Sequence, residues 1–192
     1  MPEIYTIGHS THAVTRFIEL LALHSVQVVA DVRSQPYSRF NPQFRREALR
    51  TSLKAHGIEY LFLGRELGGR SEDPACYVDG KVSYERLART ELFQSGLARV
   101  AAEAAPGRRM ALMCAEKDPL TCHRAILVCG ALADRGFTAH HIREDGRLES
   151  GTEADTRLLT EIGLADGDLF RNREARVAEA YRRRGEQIAY AK

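Results

Sequence analysis

The sequence predicts an α/β fold: a three-layer sandwich on a mostly parallel, Rossmann-like sheet of about five strands, followed by a C-terminal helical appendage. Two observations predict it. Five short apolar runs, at residues 4–7, 26–32, 58–63, 110–114 and 137–142, alternate with stretches of helical periodicity. Strand and helix in alternation imply parallel strands joined by right-handed crossovers, with helices covering both faces. After Gly146 the alternation stops, and two charged helical segments follow at roughly residues 152–162 and 172–189.

Each element carries its own signal. Between the first two runs, Val14, Phe17, Ile18 and Leu21 fall at i, i+3, i+4 and i+7, which gives the first helix one apolar face. Asn41-Pro42, a cap residue followed by proline in the first turn, opens the second helix, and Gly57 closes it. A third helical region covers residues 83–105, with a break near Thr90 or at residues 94–96, and ends at Pro106-Gly107. Asp118-Pro119 starts the fourth, which reaches Gly136. In the tail, Leu158, Leu159 and Ile162 are the residues expected to dock. No repeat, linker or second core is visible, so residues 1–192 read as one domain, with a core at 1–147 and an extension at 148–192.

Composition narrows the function less than the fold. With 192 residues, 44% hydrophobic and 28% charged, the chain is of the ordinary soluble globular kind. Only four of its 28 basic residues are lysines, so the positive charge is nearly all guanidinium. That favours planar contacts to phosphate or carboxylate, although the base composition of the gene can produce the same bias. The N-terminus lacks a basic leader, and Glu19, His24 and Gln27 interrupt the apolar stretch at residues 17–30, which is also too short to span a bilayer. The expectation is a cytoplasmic protein with no membrane partner. In that compartment the four cysteines are better taken as thiols or ligands than as disulfides.

In open parallel sheets, ligands bind beyond the carboxyl ends of the strands. Those ends collect polar groups: Gly8-His9-Ser10-Thr11, Asp31-Val32-Arg33-Ser34, Gly64-Arg65-Glu66-Leu67-Gly68-Gly69-Arg70 and Cys114-Ala-Glu116-Lys117. In the commonest doubly wound order the first and fourth strands are neighbours, and His9 then stands beside Cys114. Cys122, His123 and Arg124 follow a proline at the start of a helix, where free amide N–H groups and the helix dipole favour a thiolate. Helical spacing also puts Cys122 on one face with Ala125, Ile126 and Cys129, so a place in the core is the competing reading. Cys114 ends a buried strand, from which a nucleophile reaches a bound substrate.

Several chemistries can be weighed on these residues. A phosphatase loop needs an arginine six residues after its cysteine, but Leu120 stands there, and Asp118 caps amides that a phosphate would need. A metal could use Cys114, Cys122, His123 and His9, since two sulfurs and two imidazoles satisfy a tetrahedral cation. The seven residues between the cysteines match no common zinc knuckle, and no metal ligand is assigned. Asp31 and Arg33 project to one side of their strand and can pair with each other as well as meet a substrate. The 33–41 loop, with Arg33, Tyr37, Arg39 and Phe40, suits stacking and phosphate contact, and the arginine-rich segment 171–184 could touch nucleic acid. Such a charge run is more often a solvated helix face.

Four blocks together resemble a known family: Thr6-Ile-Gly8-His9-Ser10, Asp31-Val-Arg33-Ser-x-Pro36-x-Ser38, Leu67-Gly68-Gly69 and Cys114-x-Glu116-Lys-Asp118-Pro119-x-x-Cys122-His123-Arg124. The resemblance is to the bacterial and archaeal domain of unknown function 488, over about residues 3–147, and the cysteine block is its most specific part. It implies that the polar rim is a shared feature and assigns no reaction. The resulting expectation is an enzyme, of the class of cysteine-dependent hydrolases or transferases, acting on a small anionic or nucleotide-like substrate. Cys122 or Cys114 is the nucleophile or redox thiol, His9 or His123 moves protons, and Glu116 is a second candidate base. Arg33, Arg39 and Arg124, with Ser10, Asp31 and Arg65, are the candidate substrate-binding residues. The alternatives are a nucleic-acid-binding accessory domain and a metal-binding sensor; the sequence specifies neither a cofactor nor an oligomeric state.

Overall fold

The computed structural model describes residues 1–104, 107–165 and 171–192. Its centre is a six-stranded sheet. Five strands are parallel: β1 (Glu3–Gly8), β2 (Val28–Asp31), β3 (Glu59–Phe62), β6 (Met110–Cys114) and β7 (Thr138–Ile142). The sixth, β8 (Leu148–Ser150), runs antiparallel to β7 at the edge, and the order across the sheet is β3-β2-β6-β1-β7-β8. All five apolar runs are therefore strands. β8 carries too short a pattern to announce itself, and so does the hairpin of β4 (Tyr77–Val78) with β5 (Lys81–Val82).

The three central strands, β1, β2 and β6, are buried on both faces, so their apolar sequences run nearly unbroken. One face receives α1 (Val14–Leu23) and α2 (Arg46–Ala55): Phe17, Leu20, Leu21, Leu49 and Leu53 pack there on Tyr5, Ile7, Val29, Ala111 and Met113. The other face receives α5 (Glu91–Glu103) and the segment that follows β6. Phe93, Leu97, Val100, Leu127 and Val128 pack there on Ile4, Val28, Ala30, Met110 and Leu112. Two short helices, α3 (Gly64–Leu67) and α4 (Tyr84–Ala88), lie on the connection between β3 and α5.

The breaks expected in the helices fall where side chains cap them. Ser83 and Thr90 accept from backbone N–H groups at the starts of α4 and α5, which splits the third helical region at Thr90. Ala105 and Pro106, where that region was expected to close, lie outside the described residues. The second helix begins later than its cap suggests: Pro42–Phe44 is a single 3₁₀ turn, and Arg45 is extended before α2 starts.

The fourth helix departs most from expectation. Pro119–Thr121 is only a 3₁₀ turn, capped by Asp118, which accepts from Leu120 N at 2.9 Å. Cys122 is then extended, with φ −134° and ψ 139°, so it does not sit in the first turn of a helix. A π-helical segment, Arg124–Cys129, follows and leads into α6 (Gly130–Ala133). π segments interrupt regular helical hydrogen bonding and are frequent at functional sites.

The tail contains α7 (Gly151–Ile162), opened by a capping box of Ser150 and Glu153, and α8 (Arg173–Ile188). Leu158 and Leu159 are buried with Leu120, Ile126 and Ala180, and Ile162 packs against them. No described helix is long and apolar enough to cross a membrane.

Candidate functional site

The order of the sheet puts the ends of β1, β2 and β6 side by side. Gly8 pairs with Cys114, His9 N donates to Cys114 O at 2.9 Å, and Ser10 N donates to Ala115 O at 2.9 Å. The approach is so close that a Cβ on Gly8 would lie 2.0 Å from Glu116 O, which leaves glycine as the residue that fits. Beyond these ends opens a cleft of about 660 Å³, lined by His9, Ser10, Arg33, Cys114, Glu116 and His123 among others.

At its floor the stretch between the two cysteines folds back. Cys114 Sγ, Cys122 Sγ and His123 Nδ1 lie within 4.8 Å of one another. Nδ1 is 3.8 Å from Cys114 Sγ and 3.9 Å from Cys122 Sγ. Glu116 Oε2 rests on both sulfurs, at 3.1 and 3.2 Å, while the rest of Glu116 faces the opening. His123 Nε2 lies 3.0 Å from the Val32 carbonyl, which can only accept. The Nε2 proton is fixed there, and Nδ1 is aimed at the sulfurs. Gly69 makes room for that ring, since a Cβ would come 2.9 Å from His123 Cγ. Leu67-Gly68-Gly69 thus seats the imidazole.

Arg124 is the largest fully buried side chain, 1% exposed. Its guanidinium donates to Glu116 O at 2.7 Å and Lys117 O at 3.3 Å, and Nε has no partner. Among the described residues no carboxylate comes within ion-pair distance of it. A buried cation balanced only by carbonyl dipoles favours negative charge nearby. Burial pushes the Cys122 thiol up, but the Cys114 thiol, the Arg124 charge and His123 outweigh it and hold Cys122 well below the ordinary range. Cys114, bonded to Cys122 and buried, is held well above it. Burial pulls His123 down, yet its bond to Cys122 wins and leaves it raised; burial and the Cys122 charge raise Glu116. One backbone amide also reaches the sulfur, Arg124 N to Cys122 Sγ at 3.5 Å.

His9 and Arg33 stand at the same rim but are engaged elsewhere. Arg33 holds Asp31 with two bonds, Nε to Oδ1 at 2.9 Å and Nη2 to Oδ2 at 2.7 Å, and also donates to Phe44 O. Tyr60 OH donates to the same carboxylate at 2.7 Å. Arg33 Nη1 lies 3.1 Å from His9 Nε2, and His9 Nδ1 lies 2.9 Å from Ser10 O. The guanidinium can only donate and the carbonyl only accept, so Nδ1 carries the proton and the ring is neutral. Burial and the Arg33 charge pull its pKa down to about 4. His9 also stacks on Phe44, with ring centroids 4.3 Å apart.

Of the remaining candidates, Ser10 lines the cleft, whereas Asp31 lies behind it, and Arg39 and Arg65 are exposed outside its wall. In the arginine-rich helix, Arg182 and Arg183 pair with Glu179, and Arg184 pairs with Glu161, so that face is laced with ion pairs. Sequence reasoning placed Lys117 and Arg70 at the rim without giving them a role and missed Tyr84 and Tyr190; all four line the cleft. Tyr84 lies close enough to the thiols for their charge to add to burial in raising its phenol. Arg70 stacks over Tyr190 at 4.4 Å, so the end of the tail forms part of the wall. Tyr84 and Tyr190 stand outside the four blocks, and Lys117 and Arg70 fall within or beside two of them.

The fold and its rim cleft define an α/β protein with a cysteine-histidine cluster at the carboxyl end of a parallel sheet. A family model, Domain of unknown function DUF488, matches residues 13–129, which hold the whole cysteine block. The chain belongs to that family. No curated protein and no solved structure matches it.

Proposed function

We propose that the protein is a cytoplasmic enzyme whose active centre is this cleft and whose substrate is a small anionic or nucleotide-like molecule. The carrying observation is the floor of the cleft, where two thiols, an imidazole and a carboxylate converge in front of a buried guanidinium without a carboxylate partner. Packing alone does not account for such a set, because the imidazole, the guanidinium and a charged sulfur each cost free energy to bury. Cys122 is the charged sulfur, Cys114 the thiol beside it, and Glu116 and His123 hold protons next to them. The wall offers Arg33, Arg70 and Lys117, with Glu116 the single carboxylate among its described residues; Lys117 is paired with Glu144 and Arg33 with Asp31, which leaves Arg70 as the cation to meet an anion. Arg33 acts through position, since Asp31 already occupies it. Arg39 and Arg65 have no part in this reading.

The test is protection from alkylation. In chelator-treated protein, iodoacetamide should modify Cys122 faster than an unstructured cysteine peptide at the same pH. Saturating phosphate esters, nucleotides or dicarboxylates should slow that reaction, and Arg70→Ala should weaken the protection. The reading fails if no anion of these classes protects, or if Cys122 reacts no faster than the peptide.

A further inference from the structure

We infer that Cys114, Cys122 and His123, with Glu116 beside them, form a binding site for a zinc-class divalent cation at the floor of the cleft. The inference deepens the proposed function and rests on it for the cleft being the working site; it names the cofactor class.

The geometry carries it. A tetrahedral ion with sulfur at roughly 2.3 Å and imidazole nitrogen at roughly 2.0–2.1 Å places those donors about 3.5–3.8 Å apart. His123 Nδ1 stands 3.8 and 3.9 Å from the two sulfurs, and all three atoms lie within 4.8 Å of one another. Glu116 Oε2 touches both sulfurs but stands outside the three-donor group, so it is the side chain that can turn into the fourth position. It is also the donor nearest the opening, so it is the one a substrate can displace, as open catalytic sites require.

Two features outside the donor set point the same way. Metal-bound imidazoles give their second N–H to a carbonyl or carboxylate, which fixes the ring, and His123 Nε2 does so with Val32 O, while Gly69 clears the space the ring occupies. Charge balances as well. Two thiolates and one carboxylate around a divalent ion leave one negative charge, and buried Arg124 behind the cluster supplies the positive one. Binding sends to the buffer every proton the donors hold, on the two sulfurs, on Glu116 and on His123 Nδ1; no electron is transferred.

The spacing of the cysteines hid the site, since seven residues separate them and zinc knuckles use shorter loops. Nor is His9 the fourth ligand, because Arg33 and Ser10 take both of its nitrogens.

Titration of metal-free protein with cobalt(II) tests the site. The expected result is saturation at one equivalent, with the visible bands of a tetrahedral ion and a near-ultraviolet thiolate-to-cobalt band. That band should be diminished in Cys122→Ser and in Cys114→Ser and lost in the double variant. Glu116→Gln, an exposed change that spares the fold, should retain the band with weaker binding, and zinc should displace the cobalt. No thiolate band in the folded native chain overturns the inference, and so does a band that survives in the double cysteine variant. A Cys114–Cys122 disulfide found by mass spectrometry under reducing conditions also overturns it. Anion protection without cobalt binding removes the metal and keeps the proposed function; cobalt binding without anion protection leaves a metal site and removes the substrate reading.

Discussion

Asp31 and Arg33 separate two meanings that one residue pattern can have. Both sit at the rim where substrates bind, but the carboxylate accepts from Arg33 and Tyr60 and the guanidinium also holds Phe44 O and His9. Asp31 is fully buried, so Asp31→Ala leaves a buried cation without its counter-charge and should cost about 3–5 kcal/mol in urea unfolding. A variant as stable as the parent would mean that the pair is not formed. Cys122 and Arg124 show the opposite case. Their residue types announced chemistry, but the reason differs from the one read in sequence: the amide groups of a helix start give way to Arg124, His123 and Cys114 as the groups that hold Cys122 charged.

Among the elements, β1, β2, β3, β6 and β7 were legible because buried parallel strands are short apolar runs that stand out from amphipathic helices. β8 and the β4–β5 hairpin were not, because strands of two or three residues are defined by their partners and carry no period of their own. The π segment after Cys122 was likewise hidden. At its start Arg124 turns inward to the carbonyls of Glu116 and Lys117, a contact made only when β6 and the loop after it are in place. The tail helices were visible as amphipathic stretches, with Leu158 and Leu159 as anchors. Leu158 is fully buried among Leu120, Ile126, Ala154 and Ala180, so Leu158→Ala should lower stability by about 2–5 kcal/mol. A loss below 1 kcal/mol by denaturant titration would show that the tail does not pack on the π segment.

For the molecule as a whole, two buried imidazoles set the acid limit. Burial together with nearby arginines lowers His9 to about 4 and His141 to about 3, and His141 Nδ1 is bonded to Thr6 Oγ1. Both are neutral in the native state and take up protons in the unfolded chain below about pH 6.5. Their stabilisation is therefore complete above that pH and falls away as pH drops toward 4, by about 3 kcal/mol for each. Urea midpoints should fall steeply between pH 6.5 and 4, and His141→Gln should flatten the slope. Asp118, held at about 2 by Arg157, Arg143 and its bond to Leu120 N against the pull of burial, acts in a lower window. A midpoint constant from pH 7 to 4 would contradict neutral burial of these rings.

Local patterning alone was enough to specify the α/β class, the five parallel strands, the helices on both faces and the residue types of the cysteine block. Those properties depend on neighbours in the chain, through apolar runs, period 3.6 and capping. Partnership depended on the folded sheet. Placing β6 between β1 and β2 brought the cysteine block to the ends of β1 and β2, folding of the 115–121 loop chose Glu116 over His9 as the companion of the sulfurs, and the strand end at Asp31 claimed Arg33. Contacts between residues tens of positions apart follow from strand order and loop path, and no local period records them.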